Sequence, residues 1–308
     1  RLLTGFGWGA LGYSQIADNS PLAGFAPLGG IHLVTFATAL MGTWLVLLVN
    51  SQTAKPRIAA AVGIVAILLS GCLLRTIAFT QPTGSPTTVA LAQGNIEQRL
   101  KFAPNQLLPT YQRYLSQVAT TRAQIVILPE TALPVFLQNT PGEIIQEFAQ
   151  TARRNGSSLA VGVPLFTADG ENYLNAIVNL TDYTPQTQPE KLPIYAKNHL
   201  VPFGEYKPLK PLTQFLYNAM NMPLGDFQRG GAAQAPFSMA NQKVAFNICY
   251  EDGFGDELIA SARQATLLAN ASNMAWYGDS NAMWQQLQQS QTRALELGRY
   301  MIRATNTG

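Results

Sequence analysis

The chain has few cysteines and histidines for its 308 residues, with two of each. Two cysteines give no disulfide framework, so they do not indicate a redox compartment. His32 and His199 lack metal-ligand spacing, and no Ser-His-Asp pattern, phosphate-binding loop or dinucleotide fingerprint is present. The net charge of +3 is small and dispersed, which argues against a nucleic-acid partner. We therefore expect no metal, no cofactor and no nucleic acid.

Charged side chains are scarce at the front of the chain. Residues 1–86 hold five of them, whereas the remaining 222 residues hold thirty-two. The segment from Gln81 to Thr88 is rich in Pro, Gly, Ser and Thr, as linkers are. This change in composition predicts a partial membrane region over 1–86 and a soluble domain over 87–308.

Two apolar runs within the front region are long enough to span a bilayer. They predict transmembrane helices at about 31–50 and 58–79, joined by a short basic loop. Lys55 and Arg57 in that loop place it on the cytoplasmic side, so the rest of the chain is expected to be extracytoplasmic. A buried helix pair of a soluble protein is the alternative.

Beyond the linker, short apolar runs alternate with helical patterns, which predicts an α/β fold. One helix is expected between Pro141 and Gly156, and another from Met283 to Met301. The segment 181–242 is expected to form long loops. The runs are continuous rather than alternating, as in strands covered on both faces. Five strands are predicted, at 89–93, 125–130, 159–165, 244–249 and 266–273.

Three predicted segments end on side chains that suit acyl chemistry. Cys249 follows an apolar strand, where its sulfur would be accessible, and a thiolate is a strong nucleophile. Glu130 follows a second such strand, so we expect apolar neighbours to raise its pKa and make it a general base. Lys197 lies in a polar segment, and its ammonium could favour the thiolate and stabilise an oxyanion. The alternatives without a catalytic role are an inert core cysteine, a surface carboxylate and a solvated lysine.

Several longer motifs, taken in order, resemble those of the apolipoprotein N-acyltransferases, the membrane-bound branch of the nitrilase superfamily. These motifs are LPETALP, KNHLVPFGEY, ICYE, NASNMAWYG and RALELGRYMIRATNTG, preceded by GFGWGALGYSQ near the start. The resemblance covers essentially the whole chain. It implies a nitrilase-type α-β-β-α sandwich attached to transmembrane helices in the bacterial inner membrane, with the catalytic domain on the periplasmic side.

The resemblance also implies a reaction and its residues. A fatty acyl chain would move from a phospholipid, through a thioester, to the N-terminal amino group of a diacylglyceryl apolipoprotein. Glu130 would be the general base, Lys197 the oxyanion-stabilising lysine and Cys249 the nucleophile. Supporting positions are Glu205, a second acidic residue of the site, and Tyr250 and Glu251, which flank the nucleophile.

Two positions depart from the family pattern without touching the three catalytic residues. Met274 replaces an acidic residue, and Gln286 replaces a histidine. Alternatives to the transferase are a membrane-anchored nitrilase-type amidase and a catalytically dead scaffold. Because the chain starts at Arg1 and stops at Gly308 after an apparent strand start, we expect a fragment of a longer protein. Candidate lipid contacts are Phe203, Phe215, Leu216, Tyr217, Met220, Met222, Trp276 and Tyr277.

Overall fold

The computed structural model describes residues 7–17, 19–202, 204–206 and 227–307. The chain forms two compact units, and the first break between them comes at Gly84, two residues before the predicted boundary. Two later segments belong to the first unit. It comprises Arg1–Gly84, Gly253–Gly255 and Asn281–Met301, and the second comprises Ser85–Asp252, Asp256–Ser280 and Ile302–Gly308.

Two long apolar helices dominate the first unit, α1 (Ala26–Asn50) and α2 (Ala54–Arg75). The backbone of α1 leaves helical φ/ψ values at Gly29 and Gly30, where φ is 62° at Gly30, so the uninterrupted helix begins at Ile31 as predicted. Helix α2 begins earlier than predicted because its proline falls in the first turn, where no N–H is needed. It ends at Arg75 rather than at 79. The Thr76 N–H donates to the Leu73 carbonyl and closes the last turn.

Both helices are long and apolar enough to cross a membrane, by length and composition. Only 17% and 11% of their most apolar stretches is buried. Val49, Leu69 and Leu73 are 64–71% exposed. A buried helix pair of a soluble protein would hide such side chains, so this exposure does not fit that alternative. A third helix, α6 (Ala282–Leu297), also belongs to this unit.

The second unit contains two sheets that share one apolar core. Strands β1 to β3 run parallel, and β4 and β5 extend the first sheet antiparallel. The second sheet has the order β6-β7-β8-β9, with β7 and β8 parallel. The first sheet consists of β1 (Val89–Leu91), β2 (Ile125–Ile127), β3 (Ser158–Phe166), β4 (Tyr173–Asn179) and β5 (Ile194–Ala196). The second consists of β6 (Phe237–Met239), β7 (Gln242–Ile248), β8 (Leu267–Ser272) and β9 (Tyr300–Thr305).

Side chains of both sheets interdigitate in that core. Ile127 and Ile177 of the first sheet pack in one cluster with Val244 and Phe246 of the second. On its other face the first sheet packs against helices α3 (Pro104–Thr120) and α4 (Gly142–Arg154). Helix α5 (Gly255–Ala262) lies between β7 and β8 in the chain. The fold is thus the predicted α/β sandwich, with strands covered on both faces.

The predictions for individual elements had mixed outcomes. The helix after Pro141 is confirmed, and its apolar residues Ile145, Phe148, Ala149 and Ala152 are buried. The end predicted for the long helix, at Met301, is wrong. Gly298 adopts a left-handed conformation that stops α6, and the chain continues as strand β9. Strands β4 and β5 and helices α3 and α5 were not predicted, and β5 and β6 interrupt the expected loops of 181–242.

Candidate active site

The three predicted catalytic side chains lie at the ends of strands from both sheets, within the second unit. Glu130 follows β2 after two residues, Lys197 follows β5 directly and Cys249 follows β7 directly. All three are buried, with 6%, 1% and 9% of their surface exposed. The structure therefore brings together residues that are 67 and 52 positions apart in the chain.

Cys249 is the first residue of the 3₁₀ turn Cys249–Gly253, which directly follows β7. Its φ of 54° lies in the left-handed region, which costs a non-glycine residue about 1–2 kcal/mol. Neighbouring hydrogen bonds hold this conformation. The side chain of Asn270 donates to the Cys249 carbonyl at 3.2 Å, and Glu251 accepts the Ile248 N–H at 2.6 Å. The backbone of Cys249 is therefore fixed by its surroundings.

The Lys197 ammonium lies between two carboxylates. Its Nζ is 2.8 Å from Glu205 Oε1 and 3.4 Å from Glu130 Oε1. The side-chain amide of Asn175 donates to the same two oxygens, at 2.9 Å and 2.7 Å respectively. Glu205 thus contacts the same ammonium and amide as Glu130, and its role in a reaction stays a prediction. One ammonium and one amide hold both carboxylates at defined positions.

The position of Glu130 also depends on backbone packing. Its Oε2 accepts the N–H of Asn273 at 2.9 Å. In β3, a Cβ on Gly162 would lie 2.1 Å from the Pro129 carbonyl oxygen and 2.8 Å from Glu130 Cα. Only glycine permits this approach, because both neighbours are rigid backbone. Strand β3 therefore sets where the carboxylate lies.

The charges differ from the predicted ones. Burial by itself raises the pKa of Glu130, but Lys197, Asn175, Lys101 and the Asn273 N–H together lower it below its ordinary value. The predicted rise in the pKa of Glu130 is therefore wrong, because cations and donors outweigh the apolar strand. Burial lowers the pKa of Lys197, but Glu205 and Glu130 raise it well above its ordinary value.

The protonation state of Cys249 also differs from the expected thiolate. Burial raises the pKa of Cys249 to about 12, and Glu130 and Glu205 act in the same direction. Lys197 and Arg303 lower it, as was predicted for the lysine, but they do not prevail. The site at neutral pH thus holds a neutral thiol, an ionised carboxylate and an ammonium. Deprotonation of the sulfur must accompany its attack.

The flanking residues have distinct environments. Glu251 accepts four hydrogen bonds: from the N–H groups of Asn198 and His199 to Oε1, and from Ile248 N–H and the Tyr195 hydroxyl to Oε2. It therefore ties the chain after Lys197 to the strand before Cys249. Burial raises the pKa of Glu251 to about 7. The Tyr250 ring is buried, with its centroid 5.7 Å from that of His199.

The predicted lipid contacts are only partly described. Trp276 and Tyr277, on the 3₁₀ turn Met274–Tyr277, are 63% and 43% exposed. Phe203, Phe215, Leu216, Tyr217, Met220 and Met222 lie outside the described residues. Of the two departures from the family pattern, Met274 is a buried residue of that turn, and Gln286 is fully buried in α6. Lipid contact at the eight candidate residues stays a prediction.

Family models match both parts of the chain. The carbon-nitrogen hydrolase model matches residues 88–308, and the model of the apolipoprotein N-acyltransferase N-terminal domain matches residues 1–44. The chain belongs to the carbon-nitrogen hydrolase family. The first of these matches covers the whole of the candidate site.

Curated relatives extend the similarity over the whole chain. Apolipoprotein N-acyltransferases of Neisseria meningitidis serogroup A and Chromobacterium violaceum are 62% and 52% identical to it over 100% of its length. The enzyme of that name from Nitrosomonas europaea is 43% identical over the same share. The chain spans about 60% of the length of these relatives.

Solved structures of the family are more distant. A carbon-nitrogen hydrolase from Helicobacter pylori has a TM-score of 0.45 and 16% identity, over 71% of this chain and 73% of that one. An amidase from Nesterenkonia sp. has a TM-score of 0.45 and 19% identity, over 72% and 77%.

Three residues of this carbon-nitrogen hydrolase site were missed by the sequence analysis. Lys101 is 2% exposed, and its Nζ donates to the Glu130 backbone carbonyl at 3.1 Å. Asn175 lies in an unpredicted strand, and Asn273 donates its backbone N–H to Glu130. No local signal distinguishes Lys101 and Asn175, since each acts through contacts with distant parts of the chain, whereas Asn273 lies in the motif NASNMAWYG. Within the described ranges, no group of three or more His, Cys, Asp or Glu side chains could hold a metal ion.

Proposed function

We propose that this chain is the acyl-transferring part of an apolipoprotein N-acyltransferase. It would move a fatty acyl chain from a phospholipid, through a thioester on Cys249, to the N-terminal amino group of a diacylglyceryl-cysteine in an apolipoprotein. One observation carries the proposal: the buried contact network of Glu130, Lys197 and Glu205 beside the strained Cys249. Relatives with this name match the chain along its whole length.

The first half-reaction forms the thioester. The sulfur of Cys249 attacks the ester carbonyl carbon as its proton passes to the Glu130 carboxylate. The carbonyl electron pair moves to oxygen, and Lys197 stabilises that oxyanion. The tetrahedral intermediate then expels the glycerol oxygen, which takes the proton from Glu130. A lysophospholipid leaves, and the acyl chain stays on sulfur.

The second half-reaction transfers the chain to nitrogen. The amino group of the acceptor attacks the thioester carbonyl, and its proton passes to Glu130. The oxyanion again faces Lys197, and collapse breaks the C–S bond. The sulfur recovers the proton from Glu130, which restores the neutral thiol. Because one product leaves before the second substrate reacts, ping-pong kinetics are expected.

The membrane setting follows from the substrates and the apolar helices. The similarity to these relatives and the two exposed apolar helices indicate a membrane protein. We infer that residues 1–86 belong to a multi-pass membrane region and 87–308 to a catalytic domain on the periplasmic side of the bacterial inner membrane. Lys55 and Arg57 support this orientation. Cysteines introduced at Gln52 and Ser85 should react with impermeant reagents from opposite sides, and labelling from one side would contradict it.

Intact-mass analysis of the full-length protein tests the chemistry. Incubation with a dipalmitoyl phospholipid should add one palmitoyl group at Cys249, and a diacylglyceryl-cysteinyl peptide should then remove it as an N-acylated product. The Cys249→Ala variant should give neither product. Acyl transfer by that variant would refute the covalent route. Free fatty acid without N-acylated peptide would instead show that water takes the acyl group, as in a hydrolase.

A further inference from the structure

A second buried lysine lies beside the site and has no role in the mechanism above. Lys101 lies in the turn between β1 and α3, and its side chain is almost fully enclosed at 2% exposure. Its Nζ donates to the Glu130 backbone carbonyl at 3.1 Å. Three residues earlier, Gln98 accepts a hydrogen bond at 2.6 Å from the side chain of Asn273, whose N–H binds Glu130. The turn is thus tied to the base at two points.

The two lysines differ in how their charge is balanced. Lys197 contacts two carboxylates, whereas among the described residues Lys101 Nζ has a single acceptor, a backbone carbonyl. An ammonium has three donors, so Lys101 keeps donors that Glu130 does not use. A buried cation bound only to a neutral group is costly unless a negative charge is nearby.

Two acidic groups of the site contribute to the electrostatics of this cation. The Glu130 carboxylate interacts electrostatically with the Lys101 ammonium, and Cys249 does so in its thiolate form. Burial lowers the pKa of Lys101 to about 8, and these two groups oppose the change. Lys101 is therefore charged at neutral pH and loses its charge near the upper end of the physiological range. Negative charge that develops on the sulfur would be attracted to it.

We propose that Lys101 is a second cationic positioning residue, which holds the Glu130 turn through its carbonyl and electrostatically favours the Cys249 thiolate during attack. The inference rests on the proposed acyl transfer, because it assigns Lys101 to that reaction's nucleophile and base. A purely structural lysine would hold the turn without changing how the thiol ionises. The two roles differ in one measurable property, the pH dependence of the sulfur's reactivity.

The test is alkylation of Cys249 by iodoacetamide in the full-length protein, followed by peptide mass spectrometry from about pH 6 to about pH 10. The reaction forms a C–S bond, releases iodide and reports the thiolate fraction. The wild-type rate should rise about tenfold per pH unit, flatten at about pH 8 while Lys101 loses the charge that favours the thiolate, and then rise again. A wild-type profile that does not bend there would overturn the inference.

Two variants separate charge from anchoring. Lys101→Gln keeps a donor for the Glu130 carbonyl but no charge, so alkylation at pH 7 should be about tenfold slower or more, with no bend. Lys101→Arg keeps a cation that does not titrate, so its rate at pH 7 should stay near wild type and also show no bend. A Lys101→Gln profile that coincides with wild type would contradict the proposal. If that variant does not fold, the Lys101→Arg and wild-type profiles decide.

A matched control and a separate readout complete the design. Arg99→Gln removes the same charge two residues away, from a side chain that is 84% exposed, and should leave the profile unchanged. Acyl transfer is measured separately in each variant. If alkylation behaves as expected but phospholipid gives no thioester, the proposed function fails and the electrostatic role of Lys101 stands. If thioester forms but the wild-type and Lys101→Gln profiles coincide, the electrostatic role of Lys101 fails and the proposed function stands.

Discussion

Replacing Glu130 by Gln should change two reactions of the same sulfur in opposite directions. Acyl transfer should slow by about 10²- to 10⁴-fold, because the amide cannot accept the thiol proton. Alkylation by iodoacetamide should become faster, since the charge of Glu130 is one cause of the raised pKa of Cys249 while Lys197 lowers that pKa. Each unit by which the thiol pKa falls makes the thiolate fraction about tenfold larger at neutral pH.

The structure also predicts the cost of this substitution to the fold. Three donors reach the Glu130 carboxylate: Asn175 at 2.7 Å, Lys197 at 3.4 Å and the Asn273 N–H at 2.9 Å. Glutamine offers one oxygen, so its NH₂ group must face a donor in either orientation. Such a mismatch costs about 1–3 kcal/mol, so thermal unfolding should be measured alongside both rates.

Both reactions are followed by mass spectrometry of Cys249 in the same preparation. Glu143→Gln, on an exposed part of α4, is the matched control and should leave both rates unchanged. Slower alkylation in Glu130→Gln would refute the reasoning. It would mean that the carboxylate activates the thiol even toward a small reagent, or that the site does not hold its shape without the charge.

Three further predictions follow from the same contacts. Lys197→Met should slow thioester formation by about 10²- to 10³-fold and lower thermal stability, because it leaves the buried Glu130 and the partly buried Glu205 carboxylates without their cation; unchanged stability would contradict the pairing. Gly162→Ala should cost about 1–3 kcal/mol and most of the acyl transfer, whereas Gly9→Ala, with nothing within 4 Å, should cost neither. Since the pKa of Glu251 is raised from 4.5 to about 7, its protonated form favours folding below about pH 4.5, and this contribution is lost as the pH rises through about 7. The melting temperature of wild type should therefore fall across this range relative to Glu251→Gln, and parallel curves would refute the shift.

Local patterns in the sequence were sufficient for some elements. The face of α4 and the start of the continuous helix at Ile31 could be predicted because apolar spacing and helix-end residues are properties of a short stretch. Strand β4 has no such pattern. Tyr173, Asn175 and Ile177 lie on one face of this strand. The polar Asn175 among them is explained only by its contacts with the Glu130 and Glu205 carboxylates. Helix α3 was missed since Pro109 interrupts its interior.

The sequence by itself determined which groups perform the proposed chemistry. Glu130, Lys197 and Cys249 follow their strands directly or within two residues, and their motifs resemble one family in order. Tertiary structure alone decided their ionisation, because a pKa depends on burial and on charges that are distant in the chain. Lys197, Asn175 and Lys101 lower the pKa of Glu130, and burial beside that carboxylate keeps Cys249 protonated. No local pattern contains these distances, so the reactive state of the site could be read only from the folded chain.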